Sequence, residues 1–328
     1  QHSTHQQESG HSHWFQRPVC LQRMEVFQEW QRYLASKSVG ECMRQDAQLT
    51  IVSPDITVLQ LVQVFVENDL RAAPVDFGNG KYEFVDYIDL LKHLCALLDA
   101  KQDDAAAVLP EFLTTVIRDV ANLSGRNPFV PISTSQTMLD VCKTFAEAKR
   151  VPIVDSDGSL KDIVTAQDLI RCALEGVPTS LEEFGSLKVG QFFIERNVIT
   201  SLESNTALSA FRLLNEHGFS ALPVLDEDGE MSSVLSIRDL KYIIAQEDPN
   251  LLTGSVFDLI IYGKEGQLRG ETGKTQFPYI ACNLSTTLAS AIRKLQATRV
   301  HRLVVTDGAK HSVGVLSLTD ILFLINNA

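Results

Sequence analysis

The apolar positions of this chain switch between a short strand-like rhythm and a helical one, and they do so four times in the same order. An apolar run over 49–52 meets a turn at Ser53, Pro54 and Asp55. Val58, Leu61, Val62, Phe65 and Val66 then recur at three- and four-residue intervals, which predicts a helix over 57–67 capped from Asp55. Two short runs around Val75 and Phe84, separated by the turn segment 76–80, predict a hairpin. Leu90, Leu91, Leu94 and Leu97 carry a last helix that starts near Asp89. The order returns with a strand near Phe129, a helix over 137–148, a hairpin turn at 155–158 and a helix from Thr165. It returns again with a strand at 198–201, a helix at 207–216, a turn at 226–229 and a helix from Ser236. The fourth copy has a strand at 279–282, a helix at 287–297, strands at 303–305 and 313–316 around a turn at 307–310, and a helix opened by Ser317. Each unit reads β-α-β-β-α, an α+β design. A unit that small cannot cover both faces of its own sheet, so tandem copies should pair through theirs, making two domains of two repeats.

This divides the chain into repeats at 37–100, 101–176, 177–248 and 249–328. Between them lie a linking helix at 109–120, a Pro- and Gly-bearing joint at 176–186 and a Gly-rich, charged stretch at 262–275 expected to be an exposed loop. Ahead of them, 1–36 is a polar leader followed by an amphipathic helix over 23–34 with Phe27, Trp30, Tyr33 and Leu34 on one face. That face has two readings, packing on its own chain or docking a partner; the first is the expectation. His2, His5, His11 and His13 match no defined metal spacing, and a solvated leader is the plainer reading.

Two positions keep a fixed place in every copy. Each hairpin is preceded by a basic or small residue, namely Arg71, then Lys149 with Arg150, then Ser220, then His301 with Arg302. Each last helix opens with an acid: Asp89, Asp168, Asp239 and Asp320. From residue 71 to 89 is 18, while 149 to 168, 220 to 239 and 301 to 320 are 19 each. Ser317-Leu-Thr-Asp320 before an apolar run is a capping box, in which the hydroxyl takes a free helical N–H and the acid reaches back. For one repeat, capping worth about 0.5–2 kcal/mol is a sufficient account. Four copies in register, three with basic partners, favour a ligand that needs both: a phosphate for the cations and a ribose diol for the carboxylate.

Composition narrows the class. The net charge is −12 over 328 residues, which argues against non-specific nucleic-acid binding and leaves any anion to a few local cations. The six cysteines are scattered without a Cys-x-x-Cys, and no run reaches the length of a membrane span, so a cytoplasmic or nuclear protein is expected. There is no nucleophile elbow, phosphate-binding loop, dinucleotide fingerprint or zinc pattern, and the expectation is a non-enzyme. The acidic turns at 155–158 and 226–229 resemble pieces of a calcium loop without its closing Glu, and read as hairpin turns.

The repeat resembles the cystathionine-β-synthase (CBS) domain on specific stretches: LRAAPV at 70–75, SALPVLDEDG at 220–229, and VHRLVV with VGVLSLTDIL at 300–322. Four copies in one chain are similar to the gamma regulatory subunits of AMP-activated protein kinase. The resemblance implies two Bateman modules forming a flattened pseudo-fourfold disc. It also implies AMP, ADP or ATP as regulatory ligands rather than a cofactor, and kinase alpha and beta subunits as partners. By the same resemblance Asp89, Asp168, Asp239 and Asp320 hold ribose. Arg71, Lys149, Arg150, His301 and Arg302 meet phosphate, Ser317 and Thr319 lie near a phosphate, and Thr200 and Ala221 lie near adenine. The sequence departs from the pattern at Asp86, where a Ser or Thr is expected and a carboxylate should repel an anion, and at Lys149 and Gln167. A scaffold with lost nucleotide sites is the alternative, and a free-standing enzyme a distant third.

Overall fold

A computed structural model describes residues 25–43, 49–192, 198–264, 279–307 and 311–328. The described chain opens with α1 (Glu25–Ser36), and the one-turn α2 (Val39–Cys42) leads into repeat 1. Repeat 1 holds α3 (Val58–Glu67), β1 (Ala72–Asp76), β2 (Tyr82–Asp86) and α4 (Tyr87–Ala100), with α5 (Ala105–Thr114) after it. Repeat 2 holds β3 (Ile132–Ser133), α6 (Met138–Thr144), β4 (Arg150–Val154), β5 (Leu160–Thr165) and α7 (Ala166–Gly176). The short α8 (Ser180–Phe184) and α9 (Val189–Phe192) lead to repeat 3, built from β6 (Ser201–Leu202), α10 (Ala207–Glu216), β7 (Ala221–Leu225), β8 (Met231–Ser236) and α11 (Leu240–Gln246). After α12 (Asn250–Thr253) and α13 (Val256–Lys264), repeat 4 holds β9 (Ala281–Asn283), α14 (Leu288–Thr298), β10 (Arg302–Thr306), β11 (Ser312–Ser317) and α15 (Leu318–Asn326).

In repeats 2, 3 and 4 the first strand runs parallel to the second and the second antiparallel to the third. The expected first strands are present but shorter and later than their apolar runs, because each pairs on one edge for two or three residues before the chain turns into its helix. In repeat 1 this strand shrinks to one bridge between Val52 and Val75. The linking helix expected over 109–120 instead occupies α5 and ends at Thr114. There an extended bridge of Val116 to Thr57 pulls the backbone out of helical geometry, and a 3-10 turn follows at Ile117–Asp119. Tyr262 lies in the last turn of α13 rather than opening a loop; most of the loop expected at 262–275, like the histidine-bearing leader, lies outside the described residues.

The packing follows the helices. One apolar core unites α3, α4 and α5 with α10, α11, α12 and α13, which joins repeat 1 to repeat 3. A second unites α6, α7, α8, α14 and α15, joining repeat 2 to repeat 4. Tandem repeats meet instead along a seam that is partly polar. Arg150 reaches Asp86 at 3.5 Å across repeats 1 and 2, and Arg302 donates to Ser220 across repeats 3 and 4. Tyr82 and Phe129 stack in the first of these seams, with ring centroids 5.5 Å apart. The four repeats therefore form a ring, each touching one neighbour through apolar helices and the other through strand starts.

The segments before each tandem pair are exchanged. Val39 and Gly40 donate to Gln136 and Thr134 of repeat 2 at 2.8 and 2.9 Å; Val189 and Gly190 do the same to Thr286 and Leu284 of repeat 4, both at 2.9 Å. The close approach favours a glycine each time, since a Cβ would crowd the Thr134 carbonyl at 3.3 Å at Gly40 and that of Leu284 at 3.0 Å at Gly190. Helix α1 packs on its own chain, burying Val26, Phe27, Trp30 and Leu34 in the repeat 2–repeat 4 core. Phe184 of α8 lies 5.1 Å from both the Phe27 and Trp30 rings, edge-on to the indole. Replacing Trp30 by Ala should lower the unfolding free energy of this core by about 3–5 kcal/mol in urea titrations. Trp30→Phe should cost clearly less, because a ring remains to fill the site.

Candidate nucleotide-binding centre

The hairpin register explains why the two fixed sequence positions recur together. The first residue of the first hairpin strand pairs with the cap residue of the closing helix: Ala72 with Asp86, Arg150 with Thr165, Ala221 with Ser236, and Arg302 with Ser317. The residue before or at the strand start is thereby held beside the helix mouth, where free amides and the capping acid lie. The shorter spacing in repeat 1 has a local cause. Repeats 2, 3 and 4 carry a one-residue irregularity in the hairpin, and repeat 1 pairs without one.

The four acids share a capping role and differ in what remains. Asp320 Oδ2 accepts from the Ser317 N–H and hydroxyl, both at 2.7 Å, while no described residue donates to its Oδ1. It is 7% exposed, and burial pushes its carboxyl up against the opposing pull of Ser317, Lys149 and Arg302. Asp168 Oδ2 is held by Thr165 in the same manner, at 3.1 and 2.6 Å, and its Oδ1 meets only a long contact from Arg171 at 3.4 Å. Asp239 Oδ2 accepts from the Ser236 N–H at 2.7 Å. Asp89 stands apart. Its Oδ2 accepts from the Asp86 N–H at 2.9 Å, its Oδ1 from the Ser124 N–H at 2.8 Å, and it is 0% exposed. The segment after repeat 1 lies over it, with Asn127 donating to Asp86 at 2.5 Å. Burial and the Asp86 carboxylate both push Asp89 up.

The basic residues converge. Burial followed by the Arg238, Arg302 and Arg150 charges draws Arg71 down to about 10, so all four repeats contribute to one cluster. Arg302, buried beside Arg126, is likewise drawn down to about 10. Lys149 is lowered by burial and Arg126, with Asp320 opposing. Asp86 pairs with Arg150 at 3.5 Å and Asp69 with Arg238 at 2.8 Å. No described carboxylate comes within salt-bridge range of Arg71, Lys149 or Arg302; Arg71 and Arg302 have neutral oxygens instead, the Arg299 carbonyl at 3.4 Å and the Ser220 hydroxyl. Half-buried like charges this close are costly unless an anion joins them.

The predicted residues thus fall into groups. Arg71, Arg150, His301 and Arg302 gather at the centre, with Lys149 and Asp320 on the repeat 4 side of it. Ser317 spends its hydroxyl on Asp320, and Thr319, the second residue of α15, is half-buried. Thr200 precedes β6 and Ala221 opens β7 beside Ser220; both are half-buried. Asp168 opens on a crevice of about 250 Å³ between α2, α7 and Tyr33. Arg126 and Arg238 were not singled out from the sequence. Arg238 carried a signal: among the residues just before the capping acids, Ile88, Gln167, Arg238 and Thr319, it alone is basic. Arg126, which donates to the Gly218 carbonyl of repeat 3, sits in an irregular connection and carried none.

Comparison with known proteins fits this geometry. The CBS domain model matches residues 117–175, 189–246 and 275–327, more than half of the chain. The chain belongs to the CBS domain family. The matched segments cover repeats 2, 3 and 4, and the structure gives repeat 1 the same helix–hairpin–helix order. This CBS protein is 26% identical over 310 residues to the gamma-3 subunit of 5'-AMP-activated protein kinase from Bos taurus, covering 90% of the chain and 59% of that subunit. It is also 28% identical over 207 residues to protein SDS23 of Candida albicans, covering 60% of the chain and 32% of that protein. The chain thus spans less than two thirds of the length of either relative. Among solved structures, protein MJ1225 of Methanocaldococcus jannaschii superposes with a TM-score of 0.68 at 17% identity, covering 87% of this chain and 99% of its own.

The cluster has a measurable consequence at His301. Burial, then Arg71, Arg302, Arg150 and Arg238, drive its imidazole down to about 3. It is therefore neutral when folded at pH 7, whereas the unfolded chain takes up a proton near 6.5. Between those two values the unfolded state binds the extra proton, so stability falls as pH drops through this window, by at most about 1.4 kcal/mol per pH unit from this group. His301→Gln should flatten that slope in denaturation measured between pH 7 and 4.5, and the wild-type ring should show no protonation step near 6.5 by NMR.

Proposed function

We propose that the protein is a non-catalytic regulatory subunit that binds adenine nucleotides (AMP, ADP, ATP) and reports energy state to a Ser/Thr protein kinase. The observation that carries this is the set of central cations, Arg71, Lys149 and Arg302, with no described carboxylate in salt-bridge range, and the Asp320 carboxylate, whose Oδ1 accepts from no described residue, within electrostatic reach of Lys149 and Arg302. Arginine forks and a lysine charge suit phosphate oxygens, and a carboxylate with one unused oxygen suits a ribose diol. AMP and ATP differ in charge, so a shared cationic centre discriminates between them. Linkage then requires only that the ligands stabilise kinase-engaged and released arrangements unequally. The similarity to a gamma subunit of an AMP-activated kinase supports partners of the alpha and beta kinase-subunit kind, in the cytoplasm or nucleus. The acids of repeats 2, 3 and 4 serve; that of repeat 1 does not, since Ser124 and Asp86 occupy both oxygens.

That sealed position favours a second reading: a CBS scaffold whose nucleotide sites are partly or wholly lost. Calorimetric titration with AMP, ADP, ATP and S-adenosylmethionine separates the two. We expect adenine-nucleotide binding weakened roughly 10- to 100-fold by Arg302→Ala and by Asp320→Ala, the size of a lost charge-assisted contact. No heat and no thermal shift with any of the four ligands would leave the scaffold. Affinity purification of the tagged chain should recover a Ser/Thr kinase catalytic subunit; a transporter or a metabolic enzyme in its place would dismiss the kinase role.

A further inference from the structure

Outside the cationic centre, one pair of reactive groups stands together. Cys42 of α2 and Cys172 of α7 are 130 positions apart in sequence, yet their Sγ atoms lie 3.5 Å from each other without a bond. Both are half-buried, and both line the crevice that Asp168 and Tyr33 also border. The other described cysteines, Cys95, Cys142 and Cys282, are buried in the two cores. We infer that Cys42 and Cys172 form a reversible disulfide modification site, closed by a hydroperoxide. This inference does not depend on the nucleotide reading.

The chemistry follows from where the proton sits. Cys172 donates its S–H toward the Cys42 sulfur, and burial together with Cys42 pushes the Cys172 thiol up to about 12. Burial holds the Cys172 proton in place, so the peroxide meets the pair at the Cys42 sulfur. The Cys42 sulfur attacks one peroxide oxygen, the O–O bond breaks, and the leaving oxygen carries off the Cys42 proton as water (an alcohol for an organic hydroperoxide), giving a sulfenic acid. The Cys172 sulfur attacks the sulfenic sulfur, the S–S bond forms, the S–O bond breaks, and the leaving oxygen carries off the Cys172 proton as water. Two sulfurs have given up one electron each, and one hydroperoxide has become two waters (water and an alcohol for an organic hydroperoxide). Closure asks the sulfurs to approach by about 1.5 Å, from the 3.5 Å contact to the normal bond length near 2.05 Å. The bond ties α2 to α7. It fixes the exchanged N-terminal segment, already hydrogen-bonded to Thr134 and Gln136, across the mouth of the crevice.

The test uses the whole chain, reduced and then treated with hydrogen peroxide. Free thiols are counted, and the protein is digested without reductant for mass spectrometry. The expected result is the loss of two thiols and a linked peptide carrying Cys42 and Cys172, both reversed by dithiothreitol. In Cys172→Ser, Cys42 should instead be trapped as a sulfenic acid by dimedone, while Cys142→Ser should leave the cross-link intact. The inference is overturned if folded wild type keeps both thiols under peroxide, or joins either one to a different cysteine. The wild-type peptide map decides this even if a variant folds poorly.

Discussion

Everything in this molecule that bears on function depends on one backbone constraint: the antiparallel hairpin that pairs the first residue of one strand with the cap of the helix that follows the next. This pairing is made of main-chain hydrogen bonds, so it holds whatever side chains are present. It carries a cation or small polar group to the mouth of a helix and sets a carboxylate there to cap it. Capping uses one carboxylate oxygen and leaves the other to its surroundings, and the surroundings differ from repeat to repeat. Asp320 keeps an oxygen that no described residue uses, within electrostatic reach of Lys149 and Arg302; Asp89 gives its own to Ser124.

The two apolar cores turn four local arrangements into one. Because repeat 1 packs on repeat 3 and repeat 2 on repeat 4, the strand starts of all four are driven to a common centre. Burial of aromatic and aliphatic side chains such as Trp30, Phe65, Phe184 and Phe211 opposes the repulsion among the gathered guanidinium groups. The cost shows in the lowered values of Arg71, Arg302 and His301. Asp86 relieves part of it from within the chain by pairing with Arg150, standing where a hydroxyl was expected and acting as a built-in anion.

Much of this was legible in the residues. The β-α-β-β-α order, the hairpins, the capping acids and the amphipathic nature of α1 all follow from local periodicity and cap chemistry. The one-residue difference in spacing that sets repeat 1 apart is the trace of a hairpin irregularity it lacks. Less legible were the lengths of the first strands, which depend on a single pairing edge, and the end of α5, fixed by the bridge of Val116 to Thr57. Arg126 was invisible, since an irregular connection has no period to mark it, and so was the meeting of Cys42 with Cys172.

The sequence by itself determined the four units, their internal register and the residue types offered at each helix mouth, because these rest on interactions between neighbours in the chain. Only the tertiary structure decided which repeats share a core, that segments before each pair are exchanged, and which acid is sealed and which stays open. Those outcomes depend on contacts between residues far apart in sequence, such as Ser124 over Asp89 and Lys149 near Asp320, whose partners no local pattern names.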